Sequence, residues 1–375
     1  MTKRFEYGVS SIKNLQVLPL ATTARGKKRH NDLVLGGETV RTSDRFWNSL
    51  HMRFGFTSNI FRYFSHAEVF DRISETSPND RIRWCLERED GEGRLLGVTN
   101  PSAAIIQHDD LMGLLDRYEA QSVKYARGVV TSQHSPRLSG TFQVAGDGFQ
   151  NKFILDTPID GFGRPSVYLS LLRLVCSNGA VALSRAFRSE LSVGRGDDGV
   201  AFTLTRVLDG FNNEDGYVAL RQRFESASKS WASVNEVNRL YKVLARVHQR
   251  LSPVPLGGDG ASECGRHSPL LRSFHKMSGD LTTIYGMANL DALSVKRQRT
   301  LPAACKVYDL LNFASEVGTH HATEAGSRPV QACIGDLISG EYDLEATCEQ
   351  FSDWRDFFVG SDATASTMAD LGKKN

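Results

Sequence analysis

Apolar residues recur with a period near two through the middle of the chain and near 3.6 toward its end. Runs at 125–131, 141–144, 152–156, 167–176, 180–186 and 200–207 predict strands. Asp147-Gly148, Asp160-Gly161-Phe162-Gly163, Ser177-Asn178-Gly179 and the Gly/Asp-rich 194–199 punctuate them. Asp-Gly and Asn-Gly supply the positive φ angles of tight hairpins. Closely spaced strands with such turns predict an antiparallel meander, and the strand–helix alternation of a doubly wound sheet is absent.

On the N-terminal side, Ser43 is placed to cap a helix over 44–54. Ser65-His66-Ala67-Glu68 has the spacing of a capping box, with Val69, Phe70 and Ile73 on one face of the following helix. Ser77-Pro78 ends that helix near Thr76. Ile82, Trp84 and Leu86 alternate with charged residues before a turn at 90–93, a hairpin pattern, and a short helix follows from Asp109. After Asn213 the period becomes helical: one helix over 214–227, and a second opened by the Ser233…Glu236 box and running to Leu251, with Val237, Leu240, Leu244 and Val247 as its apolar stripe. Pro302 is placed as the first residue of another helix carrying Val307, Leu310, Leu311, Ala314 and Val317. A last helix covers 330–338 and ends at Gly340.

These elements define an α+β fold, an antiparallel sheet in the middle of the chain packed by helices, with a mainly helical C-terminal region. The expected organisation is a basic arm or peripheral segment over 1–42, a core domain over 43–251, a linker or exposed loop rich in Pro, Gly and Ser over 252–269, and a helical region over 270–375 ending in an acidic tail. Composition fits this picture: 375 residues, 40% hydrophobic and 23% charged, is a globular balance. The formal net charge of +2 gives no global basic field, so a nucleic-acid surface has to be a local patch. Six scattered cysteines without a CxxC pair predict reduced thiols. No apolar stretch is long enough to span a membrane or form a leader, so a cytoplasmic protein without membrane contact is expected.

Several chemistries are excluded or weak. There is no GxxxxGK[ST] loop and no GxSxG elbow. His66-Ala67-Glu68 has the HxE spacing of a zinc deaminase but lacks a PCxxC partner. Cys264, His267 and His275 form a compact Cys/His group short of the four ligands structural zinc takes. Asp156 and Asp160 flank a turn, where carboxylates either hold a divalent cation or make Asx turns. His320 and His321 end a helix, where they either cap it or act as ligand or base. No metal or other cofactor is expected, and the chain reads as a binding protein rather than an enzyme.

Basic residues cluster in three places. Arg239, Lys242, Arg246 and Arg250 make a stripe opposite the apolar face of their helix. Lys296, Arg297 and Arg299 form a second group, and Lys27, Lys28 and Arg29 a third. Arg45, Phe46, Trp47, Arg53, Phe54, Phe56, Phe61, Arg62, Tyr63 and Phe64 mix cations with aromatics. Cations that follow a phosphate backbone, beside rings that stack on bases, are the ingredients of single-strand binding.

Asp160-Gly161, then an apolar strand ending in Arg173-Leu174-Val175-Cys176-Ser177-Asn178-Gly179, resembles the signature of the phage/plasmid-like protein family of unknown function. Tyr308 to Asn312, followed by Thr319-His320-His321, is similar to that family's second block. The resemblance spans roughly 140–325 and implies a mobile-element setting without supplying an activity. Together with the basic clusters it leads to the expectation of a DNA-metabolism protein that binds single-stranded DNA, and anneals strands without ATP, as a homo-oligomer. A metal-dependent nuclease or hydrolase built on Asp156, Asp160 and a histidine of 320–321 is one alternative. A structural or host-interaction protein is the other.

Overall fold

Ser43 lies between the end of a strand and the start of a helix. Its hydroxyl accepts the Phe46 amide at 3.0 Å and donates to the Leu96 carbonyl at 2.9 Å, so one side chain caps the helix and ties it to a neighbouring strand. The computed structural model describes residues 3–19, 31–174, 179–181, 188–194, 196, 198–251, 269–285, 290–321 and 324–345. It is an α+β protein with a helical C-terminal part, and it divides into two compact units. The first comprises Met1–His134, Leu155–Val167 and Glu190–Phe211; the second comprises Ser135–Ile154, Tyr168–Ser189 and Asn212–Asn375. Among the described residues no helix is long and apolar enough to cross a membrane.

The first unit is built on a mixed sheet of β1 (Arg4–Ser11), β2 (Leu15–Val17), β3 (Leu33–Leu35), β4 (Glu38–Thr42), β5 (Arg81–Glu89) and β6 (Glu92–Thr99), in the order β1-β5-β6-β4-β3-β2. β4 runs parallel to β6 and the remaining pairs whose register is defined are antiparallel. Helices α1 (Asp44–Arg53) and α2 (His66–Thr76) cover it. Phe46, Trp47, Leu50, Val69, Phe70 and Ile73 from the helices share a core with Ile12, Leu33, Val40, Ile82, Leu86 and Leu95 from the N-terminal and hairpin segments. The expected peripheral segment over 1–42 is therefore corrected. Its short strands carry few apolar residues each, but Ile12, Leu33 and Val40 are fully buried, and burial in the sheet compensates for weak local periodicity.

The hairpins share one turn geometry. Asp90-Gly91 has φ of 52° and 83°, Arg127-Gly128 has 49° and 85°, and Ala145-Gly146 has 51° and 85°. Two consecutive residues with φ > 0 match the twist of antiparallel strands. The expected strand over 125–131 is accordingly broken at Arg127-Gly128 into β7 (Ser122–Ala126) and β8 (Val129–His134). The turn expected at Asp147-Gly148 lies two residues earlier, and Asp147 opens the long strand β10 (Asp147–Pro158), paired with β9 (Thr141–Val144). The chain passes between the units within β10 and again within β11 (Ser166–Arg173), which pairs with the short strands β12 (Gly179–Val181) and β13 (Arg188–Glu190).

The strand expected over 200–207 is a helix. After α3 (His108–Arg117) in the first unit comes α4 (Asp198–Gly210), which buries Val200 and Leu204, four residues apart. Thr203 and Thr205 give this stretch a strand-like alternation, but Thr203 satisfies its hydroxyl on the Gly199 carbonyl one turn back, at 2.8 Å.

The second unit holds α5 (Glu214–Lys229), α6 (Val234–Leu251), α7 (Pro269–Ser278), α8 (Val295–Thr300), α9 (Val307–Glu316) and α10 (Glu324–Ser339), besides shorter turns, β12, and strands β14 (Trp231–Ser233) and β15 (Pro302–Lys306). The Ser233 box forms as expected, with Ser233 accepting the Glu236 amide at 3.1 Å and Glu236 accepting the Ser233 amide at 2.8 Å. Pro302 opens β15 rather than a helix, a position where a strand tolerates the missing N–H. The helix starts five residues later, where Asp309 accepts the Lys306 amide at 2.8 Å. Phe149, Phe224 and Tyr308 pack ring to ring in the core, with centroids 5.6 to 6.5 Å apart.

Candidate nucleic-acid interface

Helix α6 is amphipathic because Val237, Leu240, Leu244 and Val247 follow a spacing of three and four, and all four are buried. That burial fixes the opposite face outward, where Arg239, Lys242 and Arg246 are exposed. Helices α7 and α8 are among those that pack against α6 in the same unit. Helix α8 carries Lys296 and Arg299 exposed and Arg297 half-buried, so the helices that carry two of the three basic clusters pack against each other. Helix α7 adds exposed Arg272 and Lys276, four residues apart, which were not among the expected cations. Their signal was present: both lie on the polar side of a helix whose Leu271 and Phe274 are buried.

The cations differ in how far they are committed. Lys242 pairs with Asp291 at 2.6 Å, Arg299 with Asp343 at 2.5 Å, and Arg239 with Asp336 at 3.8 Å. Hydrogen bonds from Lys242 and Asn238 hold the Asp291 carboxyl below the usual range. The Asp343 side chain is only 4% exposed and also accepts from Ser233 Oγ at 2.7 Å and Asn235 Nδ2 at 2.8 Å, so it anchors Arg299 into the fold. Among the described residues, Arg246, Arg272, Lys276, Lys296 and Arg297 make no ion pair. Between α6 and α7 lies an aromatic pair, Tyr241 and His275, half-buried with ring centroids 5.2 Å apart. Cations without ion pairs are thus carried by α6 and by two helices packed against it, and the ring pair lies between α6 and α7.

The remaining expected residues fall elsewhere. Lys27, Lys28, Arg29, Cys176, Asn178, Cys264 and His267 lie outside the described residues, as do the side chains of Arg250 and His321. Most of the expected linker and the chain beyond residue 345 lie outside them too. The aromatic and basic stretch at 45–64 belongs to the first unit. There Phe46 and Trp47 are core, while Tyr63 and Phe64 are exposed. The HxE motif is a helix cap: Glu68 accepts the Ser65 amide at 2.7 Å, and the His66 ring sits between Trp47 and Phe61.

Residues of the two segments that resemble a family signature make buried and part-buried polar contacts. Asp160 is 1% exposed and is gripped by Arg45 through Nε and, at 2.8 Å, Nη2. Burial raises the Asp160 carboxyl, against the hydrogen bonds and charge of Arg45. Gly161 turns there with φ of 73°, and a Cβ at that position would lie 2.8 Å from Thr99 and Ile105. Arg173 donates to Asp147 at 2.7 Å, and Tyr308 donates to the same carboxylate at 2.5 Å. Asn312 hydrogen-bonds to Tyr308, and Gly179 begins β12. His320 is exposed at the end of α9 in the second unit, whereas Asp156, bound by Thr131 at 2.6 Å, and Asp160 belong to the first. Among the described residues no group of three or more His, Cys, Asp or Glu is arranged to hold a metal ion.

No family model, curated protein or solved structure matches the chain.

Proposed function

We propose that the α6–α7–α8 face of the second unit binds single-stranded nucleic acid by its phosphate backbone and by base stacking, without nucleotide hydrolysis. The observation that carries this reading is the set of Arg246, Arg272, Lys276, Lys296 and Arg297, free of ion pairs among the described residues and carried by α6 and two helices packed against it, with Tyr241 and His275 between α6 and α7. Cations left without carboxylate partners exchange condensed counterions for phosphate, and a ring pair between them offers a sequence-tolerant stacking platform. The ion pairs at the margin do not block this use. The side chains of Lys242 and Asp291 are each about half exposed, and an exposed pair contributes at most about 1 kcal/mol, so phosphate competes with the carboxylate. A mobile-element setting, inferred from the signature resemblance, is compatible with strand annealing as the downstream use.

Fluorescence anisotropy on a labelled oligothymidine tests the reading. Binding at about 50 mM salt that weakens steeply as salt rises is expected. Replacing Arg246, Arg272, Lys276 and Lys296 by Gln should weaken binding at least tenfold and flatten the salt dependence, by roughly 0.7 in log–log slope for each phosphate no longer neutralised. No binding at low salt, or an unchanged affinity in the fourfold variant, removes the proposal.

A further inference from the structure

A second recognition surface lies in the first unit and has the opposite charge. Between the segment leading into α2 and α2 itself is an open groove of about 450 Å³, lined by Phe56, Ile60, Phe64 and Val69 on the apolar side and by Glu68, Asp71, Arg72 and Glu75 on the other. The apolar wall is held in place by the backbone. His51 bonds the Phe56 carbonyl at 2.9 Å, and the Phe64 amide donates to the Ile60 carbonyl at 3.0 Å. Phe64 is nevertheless 52% exposed and its neighbour Tyr63 is 82% exposed. Two large adjacent aromatics in water beside an apolar groove mark a place where something docks.

The rim says what kind of partner fits. Glu68, Asp71 and Glu75 fall at i, i+3 and i+7 on α2, one ridge along its exposed side. Glu68 is kept ionised by hydrogen bonds from Ser65, which lower its carboxyl. Arg72 is paired with Glu75 at 3.3 Å, which leaves the ridge net negative. Phosphate backbones and anionic lipid surfaces are repelled by such a ridge. We infer that this groove receives a basic amphipathic peptide segment of a partner protein, whose apolar side chains fill the space against Phe56, Ile60 and Phe64 while its Lys or Arg residues meet Glu68, Asp71 and Glu75. Apolar anchors in a groove with a charged rim are the recurring form of helix-in-groove recognition.

The probe is a short fluorescent peptide with Leu and Trp on one helical face and Lys on its flanks, compared with an otherwise identical peptide carrying Glu in place of Lys. The Lys peptide should bind with a Kd of the order of 10 μM and the Glu peptide should not. Phe64→Ser, at a half-exposed position, should weaken binding about tenfold, and the exposed double change D71K/E75K should do the same, with thermal melts confirming that both variants are folded. Three results overturn the inference. The first is no binding of the Lys peptide. The second is full binding by folded Phe64→Ser, which reduces the effect to charge alone. The third is a drop in the protein's own mass by light scattering in Phe64→Ser, which gives the groove to a second copy of this chain.

Discussion

Arg173 and Tyr308 meet on a single carboxylate. Arg173 Nη2 donates to Asp147 Oδ1 at 2.7 Å and the Tyr308 hydroxyl donates to Oδ2 at 2.5 Å, joining the end of β11 to the first turn of α9. Burial raises the Asp147 carboxyl, but the bonds from Tyr308 and Arg173 outweigh it and leave the group below the usual carboxylate range.

Asp147→Ala should therefore destabilise the protein by about 2 kcal/mol in urea unfolding, since it leaves a part-buried guanidinium and a phenol without their shared acceptor. The pH dependence has a definite sign. A carboxyl with a lowered folded pKa contributes stability above its unfolded pKa and loses it as pH falls through the folded value. The gap between wild type and Asp147→Ala should be full at neutral pH and close in strong acid. A gap that is constant with pH shows that the carboxylate charge plays no part.

How much of this was legible in the sequence depends on the range of the interaction. The Ser43, Ser65 and Ser233 caps follow from side chains three residues apart, and all three form. The Asp147 network joins residues 26 and 161 positions apart, and nothing local marks Asp147 as its centre. The strand expected at α4 came from Thr203 and Thr205, whose β-branched alternation imitates a strand until the burial of Val200 and Leu204 selects a helix. The basic stripe on α6 was readable from helical spacing alone. Its coupling to α7 and α8, and the pairing of Lys242 and Arg299 with carboxylates, needed the fold. The acidic residues Asp336, Asp343 and Glu345 read as part of a tail, yet they pair with Arg239, Arg299 and Arg223.

The Arg45–Asp160 pair makes a second test. Removing either partner leaves the other desolvated, so Asp160→Ala should cost about 3 kcal/mol or more by urea unfolding. Arg45→Met behaves differently with pH. Without the guanidinium, burial, the largest influence on Asp160, is opposed only by backbone hydrogen bonds such as that from Phe162 at 3.1 Å, and keeps its folded pKa raised. Stability is then retained where the carboxyl is protonated and lost as pH rises through that folded value, so the destabilisation of Arg45→Met relative to wild type should be smaller near pH 5 than near pH 8. The opposite trend would mean that Asp160 finds another cation. Gly128 supports the same site: a Cβ there would sit 2.8 Å from Asp160 Oδ2, on a backbone with φ of 85°. Gly128→Ala should thus destabilise more than the same change at a turn glycine in open space such as Gly146.

His134 gives the protein an acid-sensitive position. It is buried on β8, its Nε2 lies 2.8 Å from Ser132 Oγ, and burial lowers its pKa to about 4. The unfolded chain binds a proton at this residue near pH 6.5, whereas the folded protein does not until about pH 4, so stability is lost as pH falls between those values. The loss is of the order of 3 kcal/mol. His134→Gln should flatten thermal stability across that window while leaving the carboxylate-driven loss at lower pH in place. A melting curve against pH that is the same in wild type and variant refutes the assignment.

The sharpest test of the basic face uses a carboxylate. Asp291 holds Lys242 at 2.6 Å, and Arg246, four residues along the same helix face, makes no ion pair among the described residues. If phosphate competes with that carboxylate, its removal frees a cation without adding one. Asp291→Asn keeps an oxygen for Asn238 Nδ2, which donates to it at 2.8 Å, so the fold should be retained. Affinity for an oligothymidine should rise two- to fivefold, and the salt slope should steepen by about 0.7, the mark of one additional phosphate neutralised. Arg246→Gln should move both quantities the other way, and adding Lys242→Gln to Asp291→Asn should cancel the gain. If Asp291→Asn changes nothing while Arg246→Gln weakens binding, the strand passes on the Arg246 side and misses Lys242. If neither variant changes binding, the face between α6 and α8 is a solvated surface and the nucleic-acid reading fails with it.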